Sequence, residues 1–207
     1  WCEVHIMHLG KRIFDLCLLV TAHLGLLPIW VLLWISIPVA IKFEDRGPVF
    51  YGQQRAGRHG RPFMLLKFRT MVPGADRQGA WTVNNDIRVT RIGKLLRRTA
   101  LDELPGLVSI WKGDMSFVGP RALATSEHKF LEERIPGFEN RLKVPPGLTG
   151  LAQVYNPSDD PVAKLRHDLD YIHRCGVLLD IKLIILSIRN TLLGRWDNRD
   201  GKAEHKH

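Results

Sequence analysis

Leu24-Gly25-Leu26-Leu27-Pro28-Ile29-Trp30 lies in the middle of an apolar run, Leu16 to Ile41, interrupted only by Thr21, His23, Ser36 and the backbone breakers Gly25, Pro28 and Pro38. As one straight helix the run would reach roughly 39 Å at about 1.5 Å per residue, more than the ~30 Å of a hydrocarbon core. It reads as a membrane segment rather than a signal peptide, because it is long and no small-x-small cleavage site follows it. Pro28 removes an internal hydrogen bond and its ring collides with the preceding turn, which predicts a sharp kink. Both flanks are basic, with Lys11 and Arg12 before the run and Lys42, Arg46, Arg55 and Arg58 after it. Two topologies follow: a kinked spanning helix, or a hairpin-like helix that enters and leaves one leaflet and so keeps both flanks on one side.

Outward from this segment, 207 residues at 45% hydrophobic suffice for one globular domain with a core, without repeats or low-complexity tracts. We place a membrane anchor at 1–42, a cytosolic domain at 43–196 and a flexible polar tail at 197–207. The net charge of +9 calls for an anionic partner: nucleic acid, a phosphorylated small molecule or an anionic bilayer face. Cys2, Cys17 and Cys175 have no metal-ligand spacing and are odd in number, which points to a reducing setting.

The cytosolic part reads as α+β. Gly47-Pro48 opens an extended run, Val49 to Gln54, and Gly57-Arg58-His59-Gly60-Arg61-Pro62 turns it back into Phe63 to Thr70, a β-hairpin. On the second strand Phe63, Leu65, Lys67 and Arg69 share a face, so Lys67 and Arg69 would stand about 7 Å apart, a spacing suited to a diphosphate. A solvated strand face is the plainer alternative. The glycines at 52, 57 and 60 form no nucleotide fingerprint. Asn84-Asn85-Asp86 precedes a basic helix containing Ile92, Leu95 and Leu96, whose far end delivers Arg97 and Arg98 to Leu101-Asp102-Glu103-Leu104-Pro105.

There Asp102 is a candidate helix N-cap, and Leu104, Leu107, Val108 and Trp111 take the spacing of one buried helical face that Lys112-Gly113 stops. Free N–H groups and the positive helix end suit an anion at this point. Taken alone, the carboxylates read more simply as a cap, Asp102, and a solvated side chain, Glu103. Farther on, Asp114-Met115-Ser116-Phe117-Val118-Gly119-Pro120-Arg121 reads as a short apolar strand ending in a Gly-Pro turn that presents an arginine, and Pro145-Pro146-Gly147-Leu148-Thr149-Gly150-Leu151-Ala152-Gln153 is too rich in Gly and Pro for regular structure. Ile181, Ile184, Ile185, Ile188 and Leu192 form an apolar stripe with Lys182, Arg189, Arg195 and Trp196 beside or after it. They suit either a helix lying in the bilayer interface or a core helix.

Four ordered motifs, Lys67-Phe68-Arg69-Thr70-Met71, Arg97 to Pro105, Lys112 to Arg121 and Pro146 to Gly150, closely resemble the bacterial sugar transferase family, the monotopic phosphoglycosyl transferases, over roughly Lys11 to Gly194. The chain is similar to that family's minimal catalytic form. The resemblance implies transfer of a sugar-1-phosphate from a UDP-sugar to polyprenyl (undecaprenyl) phosphate with release of UMP, beginning a cell-surface glycan at the cytoplasmic face of the bacterial inner membrane. It implies Asp102 as nucleophile in a covalent phosphosugar intermediate, Glu103 as a Mg²⁺ ligand or proton manager, Mg²⁺ as cofactor held by both, and Arg97 and Arg121 at the phosphates. Lys67 and Arg69 join them on the strand-spacing argument alone. The family's re-entrant helix broken at a proline favours the hairpin topology, with Pro28 as the break.

Leu27 stands where relatives commonly have serine, Gly106 where glutamine and Ala122 where proline are common, and Tyr155 to Asp160 departs from the family pattern, so the sugar stays open. Membrane lipid is an expected partner, and self-association as a homo-oligomer is left open. A non-enzymatic basic membrane protein binding anionic lipid or nucleic acid explains charge and anchor but not the motifs, and aromatics are not interleaved with basic clusters as a nucleic-acid platform needs. A glycoside hydrolase reading fails because adjacent carboxylates project in different directions and cannot flank one scissile bond.

Overall fold

The computed structural model describes residues 2–75, 86–155 and 160–193, with side chains from residue 9 onward. The apolar run is two helices, α1 (Cys2–Gly25) and α2 (Leu27–Asp45), broken at Leu26. Pro28 sits in the first turn of α2, where its missing N–H leaves no intrahelical bond unmade. The break is sharp: Trp30 Nε1 donates to the Ala22 carbonyl at 3.1 Å, and the Trp30 ring stacks on His23 with centroids 4.3 Å apart. A straight helix would separate residues 22 and 30 by about 12 Å along its axis. By length and composition α2 could cross a membrane, and Leu24, Leu32, Ile35 and Phe43 lie exposed along the bent pair.

Both ends of this pair dock on one body. Arg12 of α1 donates to the carbonyls of Ile110 and Trp111, a cation at the C-terminal end of α4 (Leu107–Lys112), where carbonyls lack helical partners. Glu44 of α2 accepts the backbone N–H groups of Arg91 and Ile92 at 2.6 and 3.1 Å, capping α3 (Arg91–Thr99) from outside. Asp45 ion-pairs with Arg69. Leu19 joins a core with Phe63, Leu65, Leu107, Ile110 and Met115, while Ile37 and Ile41 join a second with Phe68 and Leu96.

The architecture is α+β. Strands β1 (Phe50–Ala56) and β2 (Pro62–Phe68) form the expected antiparallel hairpin, Tyr51 opposite Lys67 and Arg55 opposite Phe63. Strands β3 (Ser116–Val118) and β4 (Gly147–Thr149) pair in parallel, so the Gly/Pro-rich block expected to be irregular is partly a strand, and its last residues, Leu151 to Gln153, open a helix. Backbone contact explains the glycines: a Cβ on Gly147 would lie 2.0 Å from Gly119 N and one on Gly150 2.2 Å from Gly119 O. Helices α5 (Thr125–Glu132), α6 (Leu151–Tyr155), α7 (Pro161–Arg174) and α8 (Val177–Leu192) complete the body. A third core gathers Val118, Val144, Leu151, Tyr171 and Leu183. Of the α8 stripe, Ile181, Ile185, Ile188 and Leu192 are exposed, as is Leu178, whereas Ile184 packs against the third core beside fully buried Leu183. The helix thus serves the core along one edge and leaves an apolar face outward. Arg195, Trp196 and residues 156–159 lie outside the described residues.

Candidate active site

Helix α3 starts at Thr90, whose Oγ1 accepts from Gly93 N–H, and ends at Ala100, held left-handed at φ 56°. A Cβ at Gly93 would fall 2.1 Å from the Thr70 carbonyl, so the helix lies directly on the chain leaving β2. Ala100 turns α3 into a 3₁₀ segment, Leu101–Gly106, which carries Asp102 and Glu103. Asp102 is therefore not an N-cap: Ala100 occupies that position and no side chain caps the turn. The 3₁₀ winding also changes the phase of the apolar face. Leu107 and Ile110 are buried in step with partly buried Leu104, whereas Val108 and Trp111, expected on the buried stripe, are exposed.

Asp102 and Glu103 are both 91% buried but differently placed. Lys67 Nζ lies 2.6 Å from Glu103 Oε1 and Arg121 3.6 Å from the same oxygen. Burial opposes ionisation of Glu103, yet Lys67 and Arg121 outweigh it and hold the carboxyl down at about 2. Among the described residues nothing hydrogen-bonds or ion-pairs with the Asp102 carboxylate. Burial, helped by the Glu103 charge, pushes it up to about 6 against the pull of Lys67, Arg97 and Arg121.

Lys67 reaches the site from β2 as expected. Arg69 does not join it, because its guanidinium turns to Asp45 and the carbonyls of Pro48 and Met71. Arg97 is held by Thr70 Oγ1 at 2.9 Å and acts on Asp102 through its charge, while Arg98 is exposed. A pocket of about 20 Å³, room for one water-sized group, is lined by Arg55, Lys67, Glu103 and Arg121. Three cations against one carboxylate leave the pocket two charges positive.

The residue reading missed Arg55, whose signal was available in the hairpin register that puts Arg55, Gln53 and Tyr51 opposite Phe63, Leu65 and Lys67. Its guanidinium donates to the Ala122 carbonyl and to Gln53, leaving buried Nε without a partner among the described residues, and burial pushes its pKa down. Also missed was Arg141, buried against Asp168 at 2.7 Å and donating to the Arg121 carbonyl at 3.0 Å.

A family model described as bacterial sugar transferase matches residues 6–194. The chain belongs to the bacterial sugar transferase family. The UDP-glucose:undecaprenyl-phosphate glucose-1-phosphate transferase of Caulobacter vibrioides is 38% identical over 191 residues, covering 89% of this chain and 70% of that protein. The UDP-N-acetylgalactosamine-undecaprenyl-phosphate N-acetylgalactosaminephosphotransferase of Aeromonas hydrophila is 36% identical over 189 residues, and here the chain spans only 44% of the relative's length. The exopolysaccharide production protein ExoY of Sinorhizobium fredii is 34% identical over 204 residues, 90% of this chain and 87% of its own. For this family member the metal question rests on the donor set. Among the described residues no three carboxylate, imidazole or thiol groups gather. Mg²⁺ commonly binds through one or two carboxylates plus substrate phosphates, and the free Asp102 carboxylate beside Glu103 fits that pattern.

Proposed function

We propose that this chain transfers a sugar-1-phosphate from a UDP-sugar to polyprenyl phosphate and releases UMP. The observation that carries the reading is the split between neighbouring carboxylates: Glu103 clamped by Lys67 and Arg121, Asp102 unpaired beside three cations. A carboxylate bound up in ion pairs is a poor nucleophile, whereas a desolvated, unpaired one beside cations that neutralise a diphosphate can attack. An Asp102 oxygen bonds to the sugar-bearing phosphorus as the bond from that phosphorus to the bridging oxygen breaks, and UMP leaves with that oxygen and its electron pair. An oxygen of the polyprenyl phosphate then bonds to the same phosphorus, and Asp102 departs as carboxylate. Arg55, Lys67 and Arg121 hold the phosphates, and Arg97 offsets the Asp102 charge. Asp102 and Glu103 would hold Mg²⁺, which supplies charge neutralisation at the phosphates when bound.

The topological part of the proposal is a monotopic protein on the cytoplasmic face of the inner membrane, its bent α1–α2 pair entering and leaving one leaflet. Support comes from the break clasped by Trp30 and from the docking of both ends on one body. The decisive assay is detergent-purified protein with Mg²⁺ and a panel of UDP-sugars, first without lipid. One equivalent of UMP and a phosphosugar adduct are expected, and polyprenyl phosphate should discharge the adduct. Release of UDP would overturn the assignment.

A further inference from the structure

Between the Leu101–Gly106 turn and α8 lies a second cavity of about 310 Å³, mostly apolar, walled by Leu104, Leu107, Phe117, Leu148 and Ile184. Glu103 and Leu148 line both this cavity and the cationic pocket, so the two spaces meet at the catalytic turn. The outer end is formed by Ile188 and Leu192, which are exposed and continue into the unpartnered stripe of Leu178, Ile181 and Ile185. Thr149, a further wall residue, is buried and its hydroxyl has no hydrogen-bond partner among the described residues.

An occupant of both spaces has an anionic head and an apolar body arriving from the bilayer side. We infer that the cavity holds the phosphate-proximal isoprene units of the acceptor, with the head beside Glu103, where Thr149 gains a partner; this rests on the proposed phosphoglycosyl transfer. A nucleotide sugar suits the approach less well than an isoprenoid, because its hydroxyls and base would be desolvated against a mostly apolar wall whose polar side chains are Glu103 and the hydroxyls of Thr99, Thr149, Ser187 and Thr191.

The test separates binding from chemistry by using full-length protein in detergent without donor. Farnesyl phosphate carrying a diazirine on its first isoprene unit should label peptides containing Leu104 to Leu107 and Ile184 to Leu192. Ile184→Trp, which fills the cavity, should lower that labelling at least tenfold. Ile188→Glu at the exposed rim, where folding is not at stake, should lower it as well. Labelling confined to α1 and α2, or labelling indifferent to both substitutions, would each overturn the inference. The donor-only UMP burst is read separately, so its absence would sink the transfer reading while leaving the labelling result to judge the cavity.

Discussion

Lys67 Nζ sits 2.6 Å from Glu103 Oε1, across from the hairpin to the 3₁₀ turn, and thereby ties up one oxygen of one of two adjacent carboxylates. The pair divides its labour through partners rather than burial, which is the same for both.

Replacing Asp102 with Asn is expected to abolish adduct and turnover while keeping the fold. The carboxyl is held near 6 in the fold against an ordinary 3.8, so the protonated form is the better-tolerated one. Its contribution to stability is complete below the unfolded value and is lost as pH rises through about 6. The melting temperature of the Asn variant relative to wild type should therefore climb from pH 4 to pH 7. A flat difference would mean that Asp102 is solvated.

Lys67→Met should strand Glu103 with only Arg121 and destabilise by about 3 kcal/mol, the low end for breaking a buried pair. Lys67→Met with Glu103→Gln should recover much of that loss in urea unfolding. In wild type the depressed Glu103 contributes stability above pH 4.5 that fades as pH falls toward 2, so the double variant should lose less in acid.

Asp168→Asn leaves the Arg141 charge buried and is expected to lower stability by about 3 kcal/mol. Arg141→Met with Asp168→Leu should restore the melting temperature but not kcat, because the Arg121 carbonyl has lost its donor. Recovery of both would make the pair purely structural.

Chelating Mg²⁺ should suppress the donor-only burst, since the diphosphate then repels the attacking carboxylate. Readdition should restore it. A burst untouched by chelation would leave the cations of the pocket as sole charge compensation.

On intact spheroplasts a membrane-impermeant thiol reagent should miss Cys2 and Cys175 and label both after lysis in denaturant, which is needed because burial pushes the Cys175 thiol up. Labelling of Cys2 alone in intact cells would establish a spanning helix.

The hairpin, the break in the apolar run and the juxtaposition of Lys67, Arg97 and Arg121 with the carboxylates were legible because alternation, proline chemistry and ordered motifs are local signals. Arg69 was misjudged because strand spacing says where a side chain starts, not which carboxylate competes for it, and Asp45 lies 24 residues away. Val108 and Trp111 escape the buried stripe for a similar reason: a 3.6-residue period does not hold across a segment that begins at three residues per turn. Arg141 and Asp168 are invisible to any local pattern, being 27 residues apart and defined only by the closed fold.

Arg12 finishing α4 and Glu44 finishing α3 mean that the anchor supplies the end groups of the two helices that bracket the turn carrying Asp102 and Glu103. An anchor riveted at both ends works as a spacer of set length rather than a tether. It holds the turn carrying Asp102 at one height above the bent α1–α2 pair. Cutting the anchor away to make a soluble enzyme would remove Leu19, Ile37 and Ile41 from two cores along with it.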